Sequence, residues 1–223
     1  MPRAETVRPM VAALAVVGAI GIAAPTAAQQ GEWRIGGRLL SINSDAATEQ
    51  IVGPGSEIAF DAGWGLEFDA TYMVGSAWGI ELMLTTSPYD VEASGGDVRG
   101  LDIGETWIAQ STFTLDYYIP LWGKWKPYVG GGLGLGYLHS ATTTDAAEAV
   151  GVHDIRSDLL AGFVGQVGVT YRAGPSWMLS FDVKYNGASG DVKIENIDGD
   201  TAATLATDLD AWLVGLGAAY RFP

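Results

Sequence analysis

The stretch AFDAGWGLEFDATYMV, residues 59–74, carries the information that decides the fold class. Phe60, Ala62, Trp64, Leu66, Phe68, Ala70, Tyr72 and Val74 are all apolar, and between them stand Asp61, Gly63, Gly65, Glu67, Asp69, Thr71 and Met73. A period of two therefore separates an oily face from one bearing carboxylates, as in a strand wet on one side only. Strands of globular proteins usually end after about 5–6 residues. A longer alternation suits a strand tilted across a bilayer, which needs about 9–11 residues for the hydrocarbon alone.

The beginning of the chain supplies a route to a membrane. Arg3 and Arg8 precede an apolar run over residues 11–24, and Thr26, Ala27 and Ala28 place small residues before Gln29. This predicts a secretory signal peptide over 1–28 and an outer-membrane domain over 29–223. The run is short for a membrane helix, and Pro25 follows it at once. Elsewhere no apolar stretch approaches about 18 residues, so a spanning mature chain must be a closed barrel.

Composition agrees. The chain holds 31 glycines, 8 tryptophans and 9 tyrosines, an aromatic load unusual for an acidic soluble protein. It has no cysteine, which excludes disulfides, thiolate metal sites and thiol catalysis. Without Arg3, Arg8 and Glu5, twenty-five acidic side chains face ten basic ones, a formal −15 that argues against a nucleic-acid partner.

Eight segments alternate in this way, the even number of a bacterial outer-membrane barrel. The first sets Trp33, Ile35 and Leu39 against Arg34, Gly36 and Arg38, and the second is the quoted stretch. In the third, Trp78, Ile80, Leu82 and Leu84 oppose Gly79, Glu81, Met83 and Thr85. The fourth places Trp107, Ala109, Phe113, Leu115, Tyr117 and Ile119 outward. In the fifth, Val129, Leu133, Leu135 and Tyr137 point out and Gly130, Gly132, Gly134 and Gly136 point in. Outward sets around Phe163, Phe181 and Leu216 mark the remaining three.

Connections near 75–76, 120–126 and 173–175 are short, whereas 42–58, 88–105, 140–157 and 187–207 are long and polar. Short periplasmic turns with long outer loops are the expected arrangement. Outward aromatics collect near both strand ends: Trp33, Tyr72, Trp78, Tyr117, Tyr171, Trp177 and Tyr220 below, and Phe60, Trp64, Trp107, Tyr137, Tyr185 and Trp212 above. Two such girdles mark the membrane interfaces. A soluble barrel with an apolar interior would give them no role.

These residues resemble the OmpW family of eight-stranded outer-membrane barrels over most of the mature chain. LEFDATYMVGSAWGIELMLTTSPYDV (66–91) is similar to that family's second hairpin, and Lys126-Pro127-Tyr128-Val129-Gly130-Gly131-Gly132 to its Arg-Pro-Tyr-Val-Gly-Ala-Gly run. Gly165-Gln166-Val167-Gly168-Val169 with Trp177, and Asp210-Ala211-Trp212 through Ala219-Tyr220-Arg221-Phe222, extend the likeness. Two departures stand out. Glu105-Thr106-Trp107 replaces the family's Leu-Pro-Pro at the upper rim, and Pro223 follows the terminal Phe222 that the barrel-assembly machinery is expected to read.

Sorted by depth, inward Leu40, Met83, Ile108, Leu138, Leu160, Val164 and Leu213 fall in the outer half, an apolar lumen. Arg34, Glu67, Asp69, Glu81, Asp116, Arg172, Asp182, Lys184 and Arg221 fall in the periplasmic half. Eight strands leave room only for side chains or one small ligand, so a wide water pore is excluded. Buried charges must pair, which predicts a cross-linked ionic plug at one depth. The apolar positions above it suggest a vestibule for a small hydrophobic ligand, given room by the glycine column of the fifth strand. The family resemblance implies the same function, passage of small hydrophobic compounds across the outer membrane, leaving sideways through the wall.

A second reading is a non-transporting barrel acting through its loops as a receptor, adhesion or stress-response protein. The loops carry Asp90, Glu92, Asp97, Asp102, Glu148, Asp154, Asp191, Glu195, Asp198 and Asp200, a rim that could bridge through divalent cations to lipopolysaccharide. Asp198-Gly199-Asp200 lacks the ligand spacing of a calcium loop, so no metal site is assigned. His139, Ser140 and His153 lie near the outer rim, but one loop seldom holds a hydrolytic triad and no Gly-x-Ser-x-Gly turn occurs. The sequence therefore predicts neither an enzyme nor a cofactor.

Overall fold

The computed structural model of the protein describes residues 30–44, 47–49, 57–94, 101–120, 123–145, 148, 154–195, 198 and 201–222. The expected signal peptide over 1–28 lies outside them. Eleven strands form one sheet: β1 (Trp33–Ser44), β2 (Ala47–Glu49), β3 (Glu57–Ala62), β4 (Trp64–Met73), β5 (Trp78–Ser94), β6 (Leu101–Tyr118), β7 (Trp125–Thr143), β8 (Asp154–Ser157), β9 (Leu160–Arg172), β10 (Trp177–Glu195) and β11 (Thr201–Phe222).

Eight of these are the staves of a closed antiparallel barrel. Neighbours run β1-β4-β5-β6-β7-β9-β10-β11, and β11 returns to pair with β1 from Trp33↔Phe222 to Ser44↔Ala211. Closure satisfies every edge, which a spanning sheet requires because lipid offers no hydrogen bonds. The remaining three, β2, β3 and β8, prolong the wall above it, β3 on β5, β2 on β11 and β8 on β10.

The lipid face is set by the alternation. Leu133 and Leu216, in the middle of their strands, are 70% and 67% exposed, whereas inward Leu40, Asp116 and Asp182 are 0% exposed. The lower girdle is more regular than the sequence implies, because it consists of four Trp–Tyr pairs. Trp33–Tyr72, Trp78–Tyr117, Trp125–Tyr171 and Trp177–Tyr220 have ring centroids 4.9, 4.9, 4.6 and 5.3 Å apart. Each pair joins two neighbouring staves across one ladder, so all eight contribute one ring. Trp125 is the member that the sequence reading omitted. Above, Trp64, Trp107, Tyr137 and Trp212 are exposed, and Tyr185 packs 5.2 Å from Trp212. The side chain of Phe60 lies outside the described ones.

Two expectations are corrected. The alternation over 59–74 is not one strand: it breaks at Gly63, and the register against β5 slips by one residue between Ala62↔Tyr89 and Leu66↔Thr86. A one-residue slip exchanges the faces, so Trp64 is exposed while Phe60 stands opposite the buried Val91. Nor are 88–105 and 187–207 mainly loops. β5 and β6 pair up to Ala93↔Leu101, and β10 and β11 to Glu195↔Thr201. Beyond the membrane the phase inverts: apolar Tyr89, Val91, Val192 and Leu209 turn inward and polar Asp90, Glu92, Asp191 and Asp208 outward, so the outward apolar set that marks a stave is lost.

Candidate functional site

The lumen is stacked in layers. At the top is a narrow, partly open cleft walled by Ile42, Tyr89, Ile108, Leu160, Leu209 and Leu213 among others. Of the seven apolar positions expected in the lumen, Ile108, Leu160 and Leu213 line this cleft. Leu40, Met83, Leu138 and Val164 are buried, at 0%, 1%, 4% and 3% exposure, but are not among its lining residues. The sequence reading missed Ile42 and Tyr89 because they fall in segments taken as polar loops, and Leu209 and Ala211 because they lie between the 187–207 loop and Trp212, where the outward set of the eighth segment began. Strand continuation places them inside. Thr85, Ser87, Gln110 and Asn186 add a few polar groups to the wall, and Asn186 donates to Gln110 at 2.9 Å. An apolar pocket with a small number of oriented polar groups is the usual form of a small-molecule site.

The expected glycine column does not give this cleft its room. A side chain at Gly130 would meet Asp116 and Gln166, and one at Gly132 the backbone of Phe113 and Thr114. Only Gly136 of the four lines the cleft. The lower glycines make space for polar side chains instead, and for the close approach of β6.

Beneath lies an ionic belt. Arg38 is its hub, with Nη1 2.6 Å from Glu67 and 3.5 Å from Asp69, Nη2 2.7 Å from Glu81, and Nε 3.0 Å from Asp182. Lys184 Nζ reaches Glu67 at 2.6 Å and Asp182 at 3.1 Å. Gln166 Nε2 donates to Glu81, Thr114 and Asp116 at 2.9, 3.1 and 2.7 Å. These bonds tie β1, β4, β5, β6, β9 and β10 together across the lumen. A charge-filled section of this kind is an unfavourable environment for an apolar solute.

The expected single plug is in fact two tiers. Arg34 and Arg221 do not meet the belt carboxylates. Both bind Glu32, Arg34 Nε at 2.8 Å and Arg221 through Nη2. Between the tiers sits an aromatic layer of Met73, Tyr118 and Tyr128. The Tyr118 ring lies 4.8 Å from the Arg34 guanidinium below, and Tyr128 donates to Asp182 above at 3.3 Å. Half-buried Arg172 also belongs to the lower tier, where its charge acts on those of Arg221, Glu32 and Arg34. The plug expected from the sequence left out Arg38, although Arg38 was placed on the inward face, and also Glu32, Lys126 and Gln166. Arg38 and Gln166 were legible in principle, since both keep the inward phase of their strands.

At the rim, the residues replacing Leu-Pro-Pro stay in strand: β6 is bulged between Glu105 and Trp107, whose indole donates to the Glu105 carboxylate at 2.9 Å. Asp90, Glu92, Asp102 and Asp191 are exposed, as are Glu148 and Asp198. Asp97, His153 and Asp200 lie outside the described residues, and nothing is described of the side chains of His139, Ser140, Asp154 and Glu195.

Known proteins agree with this architecture. The family model described as OmpW family matches residues 29–222. Outer membrane protein W of Vibrio cholerae is 26% identical over 94% of this chain and 97% of its own length. The dibenzothiophene metabolism operon protein PahQ of Pseudomonas aeruginosa is 25% identical over 73% of this chain and 76% of its own. Among solved structures, the outer membrane protein OprG of Pseudomonas aeruginosa superposes with a TM-score of 0.69 at 20% identity, covering 86% of this chain and 96% of that one. The chain thus belongs to the OmpW family and is an eight-stranded β-barrel of the bacterial outer membrane.

Proposed function

We propose that the barrel admits small hydrophobic molecules from outside into the upper cleft and releases them sideways into the membrane. The observation that carries this reading is the order of layers. An open cleft walled by Ile42, Tyr89, Ile108, Leu160, Leu209 and Leu213 stands directly over a lumen filled by Arg38, Lys184 and their carboxylates. An apolar solute gains by entering the first and loses by crossing the second, so the favourable way out is the wall.

One ladder of the wall stops beside the cleft, and beyond it β8 packs against β7. The β7–β9 ladder ends at Gly136↔Leu160, and the amide of Leu138 is met at 2.7 Å by the side-chain hydroxyl of Ser157 at the end of β8. A ladder end needs fewer bonds broken than an intact seam. That a relative is named for a dibenzothiophene metabolism operon fits an apolar cargo.

The test is entry of N-phenyl-1-naphthylamine into liposomes carrying the refolded barrel, with Leu138→Asp and Leu213→Asp beside wild type. Entry that exceeds empty liposomes and falls in both folded variants supports passage. Entry no faster than in empty liposomes, or the same in all three proteins, overturns it and favours action through the outer loops, which exchange of those loops would then abolish.

A further inference from the structure

We propose that the floor of the barrel is an anion site, open to the periplasm, that takes a phosphate-class oxyanion. It is independent of the hydrophobic cleft, which opens at the other end. Four cations from four staves gather there: Arg34 on β1, Lys126 on β7, Arg172 on β9 and Arg221 on β11. The ladders bring them together: Arg34 stands directly opposite Arg221, and Lys126 stands opposite Thr170, two residues from Arg172, whose amide bonds the Lys124 carbonyl. Glu32 is the one carboxylate that pairs with any of them among the described residues, and it serves only Arg34 and Arg221.

The floor therefore carries a formal surplus of positive charge, and the belt above it the reverse, with Arg38 and Lys184 facing Glu67, Asp69, Glu81, Asp116 and Asp182. A structural plug would let the two surpluses cancel. The layer of Met73, Tyr118 and Tyr128 stands between the two tiers and keeps their side chains from pairing directly.

Orphaned donors point to what is missing. Arg34 is 3% exposed, and its Nη1 has no hydrogen-bond partner; Nε of Arg221 has none either. A buried guanidinium N–H without an acceptor is among the more costly arrangements in a folded protein, so such groups normally have a partner. Lys126 and Arg172 make no ion pair among the described residues, and Arg172 and Arg221 are only half-buried, which leaves the floor reachable from the short-turn end. Guanidinium forks and an ammonium converging from several sides suit a tetrahedral oxyanion with acceptors on every face better than one planar carboxylate.

The test uses the whole barrel in phosphatidylcholine nanodiscs, titrated with pyrophosphate at constant ionic strength. Saturable binding is expected, weakened about tenfold or more by Lys126→Gln with Arg172→Gln. It should be unchanged by Lys193→Gln, whose pair with Asp158 lies in the outer extension. Nitrogen-15 NMR of the arginine Nε–H groups supplies a reading that needs no variant: Arg34 and Arg221 should shift on titration while Arg38 stays still. Absence of saturable binding, equal displacement by chloride, or uniform shifts of all three arginines would overturn the site. Nanodiscs of phosphatidylglycerol identify the source. An unchanged titration means a soluble oxyanion, and an Arg34 signal already shifted before titration means a lipid headgroup, both of which retain the anion site.

Discussion

Lys184 on β10 reaches Glu67 on β4 at 2.6 Å, a bond that spans the barrel past two intervening staves, β11 and β1. Both side chains are at most 2% exposed, so the pair acts in a medium that screens little. Its worth lies in geometry, because a buried ion pair is weak evidence of net stability while a broken one is costly.

Removal of the hub should show that asymmetry. Arg38→Met leaves Glu67, Glu81, Asp69 and Asp182 without their shared partner and should cost about 3–5 kcal/mol. Adding Glu67→Gln, Glu81→Gln and Asp182→Asn should recover part of the loss. The midpoint of urea unfolding in bilayers, followed by the gel shift of the folded barrel, reports both.

Two glycines four residues apart on the same face of β7 should behave differently. Gly132→Ala would drive a methyl into the Phe113 and Thr114 backbone and force β6 from β7, at about 1–3 kcal/mol. Gly136→Ala meets nothing nearer than 3.4 Å and should fall within about 0.5 kcal/mol. Equal unfolding midpoints for the two would contradict the close approach of these strands.

The lipid face predicts a further contrast. Leu216→Arg, near mid-membrane on an outward position 67% exposed, should destabilise the barrel by about 2–4 kcal/mol. Thr204→Arg, exposed on the same strand but in the outer extension, should be nearly neutral. Comparing refolding yields and unfolding midpoints of the two places the membrane boundary on β11.

Acid should loosen the floor before neutral or alkaline conditions do. Glu32 precedes β1. Burial raises its carboxyl, but the hydrogen bonds and charges of Arg221 and Arg34 outweigh this and hold it below its ordinary 4.5. A depressed carboxyl contributes stability that is complete above its unfolded value and is lost as pH falls through the folded one. Stability should therefore decline below about pH 4.5 in wild type, and less steeply in Glu32→Gln. A pH profile identical in the two proteins would remove Glu32 from the account.

The sequence by itself determined the eight staves, the inward and outward phase of their membrane-spanning residues, and most members of the girdles. All of these follow from the two-residue period, which any strand with lipid on one face must display. Leu40, Met83 and Asp182 could be placed inside, and Leu133 outside, without knowing any neighbour. Tertiary structure alone decided who meets whom. The shear of the closed sheet sets relative heights, so it gave Arg38, not the four expected cations together, the carboxylates of β4, β5 and β10. It also put Met73, Tyr118 and Tyr128 between two charged tiers that the sequence had merged into one. Above the membrane the period loses its outward apolar half, since water replaces lipid on that face, and only the inward residues such as Val91, Val192 and Leu209 stay apolar. The continuation of β5, β10 and β11 into the walls of the cleft therefore rested on backbone pairing that no outward apolar set announces.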